Sequence, residues 1–286
     1  MNKDATPSGR SELEQTARSI RRKVLWMIYK AQSGHLGGSF SAVEILTALY
    51  FREMRLDPGN PAWPDRDRLV PSKGHCAPAI YAALALRGML PVETLGGLRQ
   101  IGSILQGHPC MRSVPGIDIS TGSLGHGLSI GVGMALGARL KQRDFHVYVL
   151  LGDGELDEGQ NWEAAMAASK FGLANLTAIV DRNRIQLDGP TEEIMPLEPL
   201  ADKWRAFNWS VLTVDGHDVE AVASTLRRSR EDRTGPVVII AETIKGKGVS
   251  FMENSYLWHG RPPTREEFEM AMAELDDGGE EEDGRA

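Results

Sequence analysis

An α/β fold, a mostly parallel sheet flanked by helices, is what this sequence predicts, and three observations predict it. Short apolar runs at residues 68–71, 146–151, 177–181, 211–215 and 237–242 have the length and character of buried strands. Segments with helical spacing of apolar residues lie between them, as crossovers between parallel strands require. Polar loops follow the second and third runs, so chemistry-bearing side chains gather at the carboxyl ends of strands, where open α/β sheets bind ligands.

The elements follow in order. Residues 1–10 read as a flexible N-terminus. A helix is expected over 11–31, with Leu13, Ala17, Ile20, Val24, Leu25 and Ile28 on one face. Gly34-His35-Leu36-Gly37-Gly38 breaks it, and Ser41 opens a second helix carrying Val43, Ile45, Leu46, Leu49 and Tyr50. Residues 57–67, rich in proline and aspartate, form a loop before the first strand. Further helices are expected at 77–87, 127–143, 160–171 and 219–228, with a short one from about Thr264. One domain therefore spans 11–273, and residues 274–286 form an acidic tail expected to be disordered.

Composition bounds the function. The chain has 286 residues, enough for a substantial core, and a formal charge of −7. Seven of its 39 acids but one of its 32 bases lie from Glu274 onward, so the body is close to neutral. That balance does not support a nucleic-acid surface. No run approaches the roughly 20 apolar residues of a membrane span, and the polar start lacks a signal-peptide core. Two cysteines make no disulfide framework, so a reducing, cytoplasmic setting is expected.

The histidines are unevenly placed. Five of seven follow a glycine: His35, His75, His108, His126 and His217; a sixth, His259, precedes Gly260. Glycine permits sharp turns and close approach, and imidazole carries protons near neutral pH. The pairing points to several loops delivering imidazoles to one place; the alternative is a set of unrelated turns and caps.

The strongest constellation is a strand–helix–strand unit. The strand at 146–151 ends in Gly152-Asp153-Gly154-Glu155, and the next ends in Asp181-Arg182-Asn183-Arg184-Ile185. One crossover separates Asp153 from Asn183, so both reach the same sheet edge. A carboxylate and an amide oxygen suit Mg²⁺, which keeps few protein ligands and lets phosphates complete its shell. Glycines beside Asp153 would let backbone N–H groups face phosphate oxygens.

These residues resemble the thiamine diphosphate motif, and the surrounding segments are similar to transketolase. They are Ser33-Gly34-His35, Ser72-Lys73-Gly74-His75, Gly107-His108-Pro109, Thr121-Gly122-Ser123-Leu124-Gly125, Asp215-Gly216-His217-Asp218 and Thr243-Ile244-Lys245-Gly246-Lys247-Gly248, covering nearly the whole chain in order. The resemblance implies the thiamine diphosphate-binding fold. It implies Mg²⁺, or Ca²⁺ in its place, on Asp153, Asn183 and the carbonyl of Ile185. His75 and His259 would hold the diphosphate, with Gly152, Gly154, Gly125 and Asn183 in the cradle and Leu124 and Leu187 against the cofactor rings. His35 and His108 would line the path of the donor sugar, bonding its hydroxyls or moving protons. Glu158 would link two active sites across a subunit interface, or else serve as an acid at a helix N-terminus.

The implied reaction moves a two-carbon ketol unit from a ketose to an aldose, with sugar phosphates as the substrate class. The chain matches only the first of the family's three domains. The missing pyrimidine-binding and C-terminal domains are expected on a separate transketolase subunit in an α₂β₂ assembly. Two positions depart from the family pattern: His126 stands where glutamine is usual, and Leu36 where proline is common. The rival readings are the α subunit of a thiamine-dependent 2-oxoacid dehydrogenase, an inactive regulatory homologue, and a zinc site from His75-Cys76 and His108-Pro109-Cys110.

Overall fold

The computed structural model describes residues 11–276. Helix α1 (Glu12–Ala31) starts at Ser11, whose side chain accepts from the Glu14 N–H while the Glu14 carboxylate accepts from the Ser11 N–H. The expected apolar stripe from Leu13 to Ile28 is buried. The segment read as a breaker is instead partly helical: α2 (Leu36–Phe40) and α3 (Val43–Ala48) run on into one π turn at Leu49–Glu53. Close approach explains its glycines. A Cβ on Gly37 would lie 2.9 Å from Lys245 Cγ, and one on Gly38 would lie 3.0 Å from His75 Nε2.

The remaining elements are β1 (Arg68–Pro71), α4 (Ala77–Leu86), α5 (His126–Leu140), β2 (Val147–Gly152), α6 (Gly159–Lys170), β3 (Leu176–Arg182), α7 (Thr191–Ile194), α8 (Leu200–Ala206), β4 (Ser210–Asp215), α9 (Val219–Glu231), β5 (Val237–Glu242) and α10 (Arg265–Asp276). The five strands are parallel in the order β1-β2-β3-β5-β4. All five match the expected runs within about one residue at either end, whereas α7 and α8 were not anticipated. Leu275 is buried within α10, so the domain boundary expected at 273 falls inside a packed helix. The expected flexible start at 1–10 and residues 277–286 of the expected tail lie outside the described residues.

Successive strand residues face opposite cores, as the period of two demands. Leu69, Tyr148, Leu150, Ile179 and Ile239 join the core built with α1, α3, α4, α9 and α10. Val70, Val147, Val149, Ala178, Val180, Val238 and Ile240 join the other, under α5, α6 and α8. Burial on both faces is why these strands read as continuous apolar runs.

A polar network closes the amino-terminal edge of the sheet. Buried Asp67 accepts from the Arg55 N–H (2.8 Å), the His146 N–H (2.9 Å) and the Arg230 guanidinium (2.6 Å). Burial alone would raise its pKa, but Arg230 and the backbone donors outweigh it and hold the carboxylate low. His146 Nε2 pairs with Thr177 Oγ1 at 2.8 Å, and burial, helped by Arg230, pushes the ring down to about 3. The unfolded reference is 6.5, so this contribution to stability is complete above that pH and declines as pH falls toward 3. The slope is up to about 1.4 kcal/mol per pH unit. Urea unfolding at pH 7.5 and 5.0 should show the drop, and His146→Asn should make it smaller by the share His146 contributes alongside the other buried histidines. Equal slopes in both proteins would remove His146 as its source.

Candidate active site

Four of the seven histidines converge beyond the carboxyl ends of the strands. The ring of His35 lies 5.3 Å from that of His75, 5.4 Å from His259 and 6.5 Å from His108, and His75 lies 5.3 Å from His259. Each comes from a different local structure. His35 is the N-cap residue of α2, His75 sits in a 3₁₀ turn after β1, His259 closes a turn at Tyr256–Trp258, and His108 is in an exposed loop.

Two lysines complete the cluster. Lys245 Nζ lies 2.9 Å from His259 Nδ1 and donates to the carbonyl of Ile185 at 3.0 Å. Lys73 donates to the Gly38 carbonyl at 2.8 Å and pairs with Asp181. Burial and these cations together keep the imidazoles neutral: His35 falls to about 4, His259 to about 3, and His75 well below its ordinary value. Burial, then the Lys73 charge, brings Lys245 down to about 8.

The second half of the site is the Asp153 loop. Register places Gly152 beside Asp181, which brings the ends of β2 and β3 together. Asp153 accepts from the Gly154 N–H (2.8 Å), the Arg184 N–H and the Arg182 guanidinium (3.3 Å). Asn183 Oδ1 accepts from the Ile185 N–H at 3.1 Å. Asp153, Asn183 and Ile185 thus belong to one connected turn. Burial, with Asp181 nearby, raises Asp153 to about 6.

The Gly154 N–H, expected in the phosphate cradle, donates to the Asp153 carboxylate. Gly154 is still needed for space, since a Cβ there would meet Gln186 Cβ at 2.8 Å. Gly125, at φ +85°, likewise donates its N–H to Glu155 at 2.8 Å.

Several residues that hold the site's loops together escaped the sequence reading. Glu155 holds three loops together, accepting from Gly125, from Gly152 (3.0 Å) and from the Ser72 hydroxyl. Asp181 ends a fully buried strand and takes Lys73, Ser41 (2.6 Å) and Thr243. Arg182 joins Asp153 to Thr191, Glu192 and Glu198. Charges closing apolar strands were a signal for Asp181 and Arg182; nothing local marked Glu155.

The outlying candidates are also placed. Leu124 and Leu187 are partly exposed apolar residues, at 38% and 59%. Glu158 is exposed and makes no side-chain cap bond at the start of α6. His126 turns to its own loop, 3.3 Å from the Leu124 carbonyl. His217 bridges Glu44 (3.0 Å) and the Ile244 N–H (2.7 Å), which anchors the loop carrying Lys245, while the Asp218 side chain caps α9. Cys76 is buried with its thiol pushed up to about 12, which does not suit a zinc thiolate.

Chemically, the donor set suits a phosphate-bearing cofactor with a hard cation. Lys245 and the neutral imidazole donors beside it suit a diphosphate, whereas the Lys73 charge is already taken by Asp181. A carboxylate, an amide oxygen and a carbonyl match the oxygen-only, ligand-poor preference of Mg²⁺. The underscreened charge that raises Asp153 is what such a cation would neutralise.

Comparisons with known proteins bear on the cofactor. The sequence profile described as "Transketolase, thiamine diphosphate binding domain" matches residues 13–277. The 6-deoxy-6-sulfo-D-fructose transketolase subunit SqwG of Clostridium sp. (strain MSTE9) is 49% identical over 93% of this chain and 96% of its own length. An apulose-4-phosphate transketolase subunit of Phocaeicola vulgatus is 47% identical over 92% and 93%. Among solved structures, a transketolase from Campylobacter jejuni superposes with a TM-score of 0.87 at 34% identity, over 92% of this chain. The match spans 42% of that transketolase. A Pichia stipitis transketolase gives a TM-score of 0.88 at 31% identity, with 41% of its length covered. The chain belongs to the transketolase family, and what it carries is that family's thiamine diphosphate-binding domain.

Proposed function

We propose that this chain is the cofactor-binding subunit of a split transketolase, moving a two-carbon ketol unit from a ketose phosphate to an aldose with a partner subunit. The observation that carries the proposal is the convergence of His35, His75, His259 and Lys245 on the same sheet edge as the Asp153 loop. Support for the split comes from subunit-named relatives matched over nearly their full length, against about two fifths of the solved transketolases. Their names favour this reading over a 2-oxoacid dehydrogenase subunit.

Asp153, Asn183 and the Ile185 carbonyl would hold Mg²⁺ or Ca²⁺, and His75, His259 and Lys245 the diphosphate of thiamine diphosphate. When bound, the cofactor supplies the carbon nucleophile that takes up and hands on the ketol unit. His35 and His108 would bond donor hydroxyls and exchange protons with them; both lie below the ordinary imidazole value and are neutral at physiological pH. The pyrimidine-binding and C-terminal domains would come from the partner in an α₂β₂ assembly, and Cys76 and Cys110, both free, accord with a cytoplasmic setting.

Co-purification of the two subunits, then titration with thiamine diphosphate and Mg²⁺ and an assay of ketol transfer, tests the proposal. Tight cofactor binding and transfer by the pair support it; full transfer by the isolated chain would refute the split. Glu158→Ala should leave chain stability within about 0.5 kcal/mol yet weaken assembly or activity of the pair. Unchanged assembly and rate would reduce Glu158 to a helix-start acid.

A further inference from the structure

The loop from Leu98 to His108 brings a cation to the edge of the imidazole cluster. Arg99 sits at φ +56°, with its backbone N–H on the Leu105 carbonyl at 2.8 Å. Its guanidinium donates to Ser33 Oγ at 3.1 Å and lies 3.5 Å from His35 Nδ1. It also rests against Gly107, where a Cβ would fall 2.7 Å from Arg99 Cζ. The residue before His108 is therefore the space that the guanidinium occupies. One cation spans the loop that carries His35 and the loop that carries His108.

The chemistry of that contact is one-directional. A guanidinium has five donors and no acceptor, so His35 Nδ1 must accept. The ring proton is then on Nε2, at the edge facing Gly260, where a Cβ would lie 3.8 Å away. The other groups facing His35 are His108 from the same loop as Arg99, His75 and Lys73 from the segment after β1, and Lys245 and His259 from the C-terminal segment. All are neutral rings or cations, and each ring centroid stands more than 5 Å off.

We propose that Arg99 is a positioning residue that fixes His35 in its Nε2–H tautomer and ties it to the His108 loop. Its effect on the tautomer stands on geometry alone; its effect on catalysis rests on the transketolase reading above. The electrostatics run the same way: Arg99 follows burial as the cause of the low values of both His35 and His108.

Nitrogen NMR of the full chain with labelled histidine tests this, with His35→Asn identifying the His35 signals. At pH 7.5 the wild-type ring should be protonated on Nε2. Arg99→Gln should give mixed tautomers and raise the His35 titration by about one pH unit or more. In the assembled enzyme it should lower kcat roughly ten- to hundred-fold, with a smaller change in KM and a higher acidic limb of the pH profile. Arg99→Lys keeps the charge but not the fork, so it should restore the limb and not the tautomer. An Nδ1–H ring in wild type, or the same tautomer and titration in Arg99→Gln, would overturn the proposal. Should Arg99→Gln fail to fold, Ser33→Ala carries the test: freeing one end of the guanidinium must shift the tautomer population the same way, and an unchanged population overturns it. A tautomer fixed by Arg99 alongside no ketol transfer by any assembled variant would support the positioning role and refute the function.

Discussion

Asp153→Ala should abolish metal-dependent cofactor binding by the assembled enzyme. The carboxylate is the one anionic donor proposed for the metal, and its backbone acceptor bonds to Gly154 and Arg184 hold the turn that presents Asn183 and Ile185. Losing it removes a ligand and loosens the turn together. The affinity for thiamine diphosphate with Mg²⁺ should therefore fall by more than the roughly 10–100-fold typical of losing an outer partner of a metal site. Asp153→Asn is the milder change, since its amide oxygen can still accept from one of the two backbone donors, which bond to different carboxylate oxygens, but carries no charge. Calorimetric titration should show Asp153→Asn folded like wild type yet little helped by Mg²⁺. Wild-type affinity in Asp153→Ala would remove the metal assignment.

Lys73→Met should be the most destabilising single change in the site. Lys73 and Asp181 are a buried ion pair, with side chains 1% and 0% exposed. Burial opposes both charges, and each is held ionised by the other: Lys73 is shifted up and Asp181 down. Removing the ammonium leaves Asp181 with hydroxyl donors from Ser41 and Thr243 but no countercharge. Breaking such a pair costs about 3–5 kcal/mol, whereas replacing both partners with apolar residues is far milder. For a chain of this size the melting temperature should drop by roughly 10 °C. Lys73→Met with Asp181→Leu should recover much of that loss. A double variant no more stable than the single one would show that the hydroxyl network, rather than the uncompensated charge, dominates.

The strands were legible because burial on both faces leaves an unmixed signal, as in Val147–Gly152 and Val237–Glu242. The stretch from Leu36 to Phe40 misled because glycine lowers helix propensity. Here Gly37 and Gly38 are required where the helix meets Lys245 and His75, a tertiary demand that local preference does not record. The four clustered histidines were legible from their glycine neighbours, and Asp153 and Asn183 from their places at two strand ends. Lys73 and Asp181 stand 108 residues apart, and Ser72 and Glu155 stand 83 apart. Such pairs exist only once the strand order is known. Arg99 was hidden for the same reason, since its two partners lie on the far side of β1 in the chain.

The Asp67 network sits at the opposite edge of the sheet from the histidine cluster, with Arg55, His146 and Arg230 knotted around one carboxylate. That separation bears on how such a chain diversifies. Substitutions in the loops proposed to meet a sugar leave this anchorage untouched, so specificity can drift while the framework keeps its margin. A change at Asp67 would instead be felt as lost yield of folded protein, without any change in which sugar is preferred.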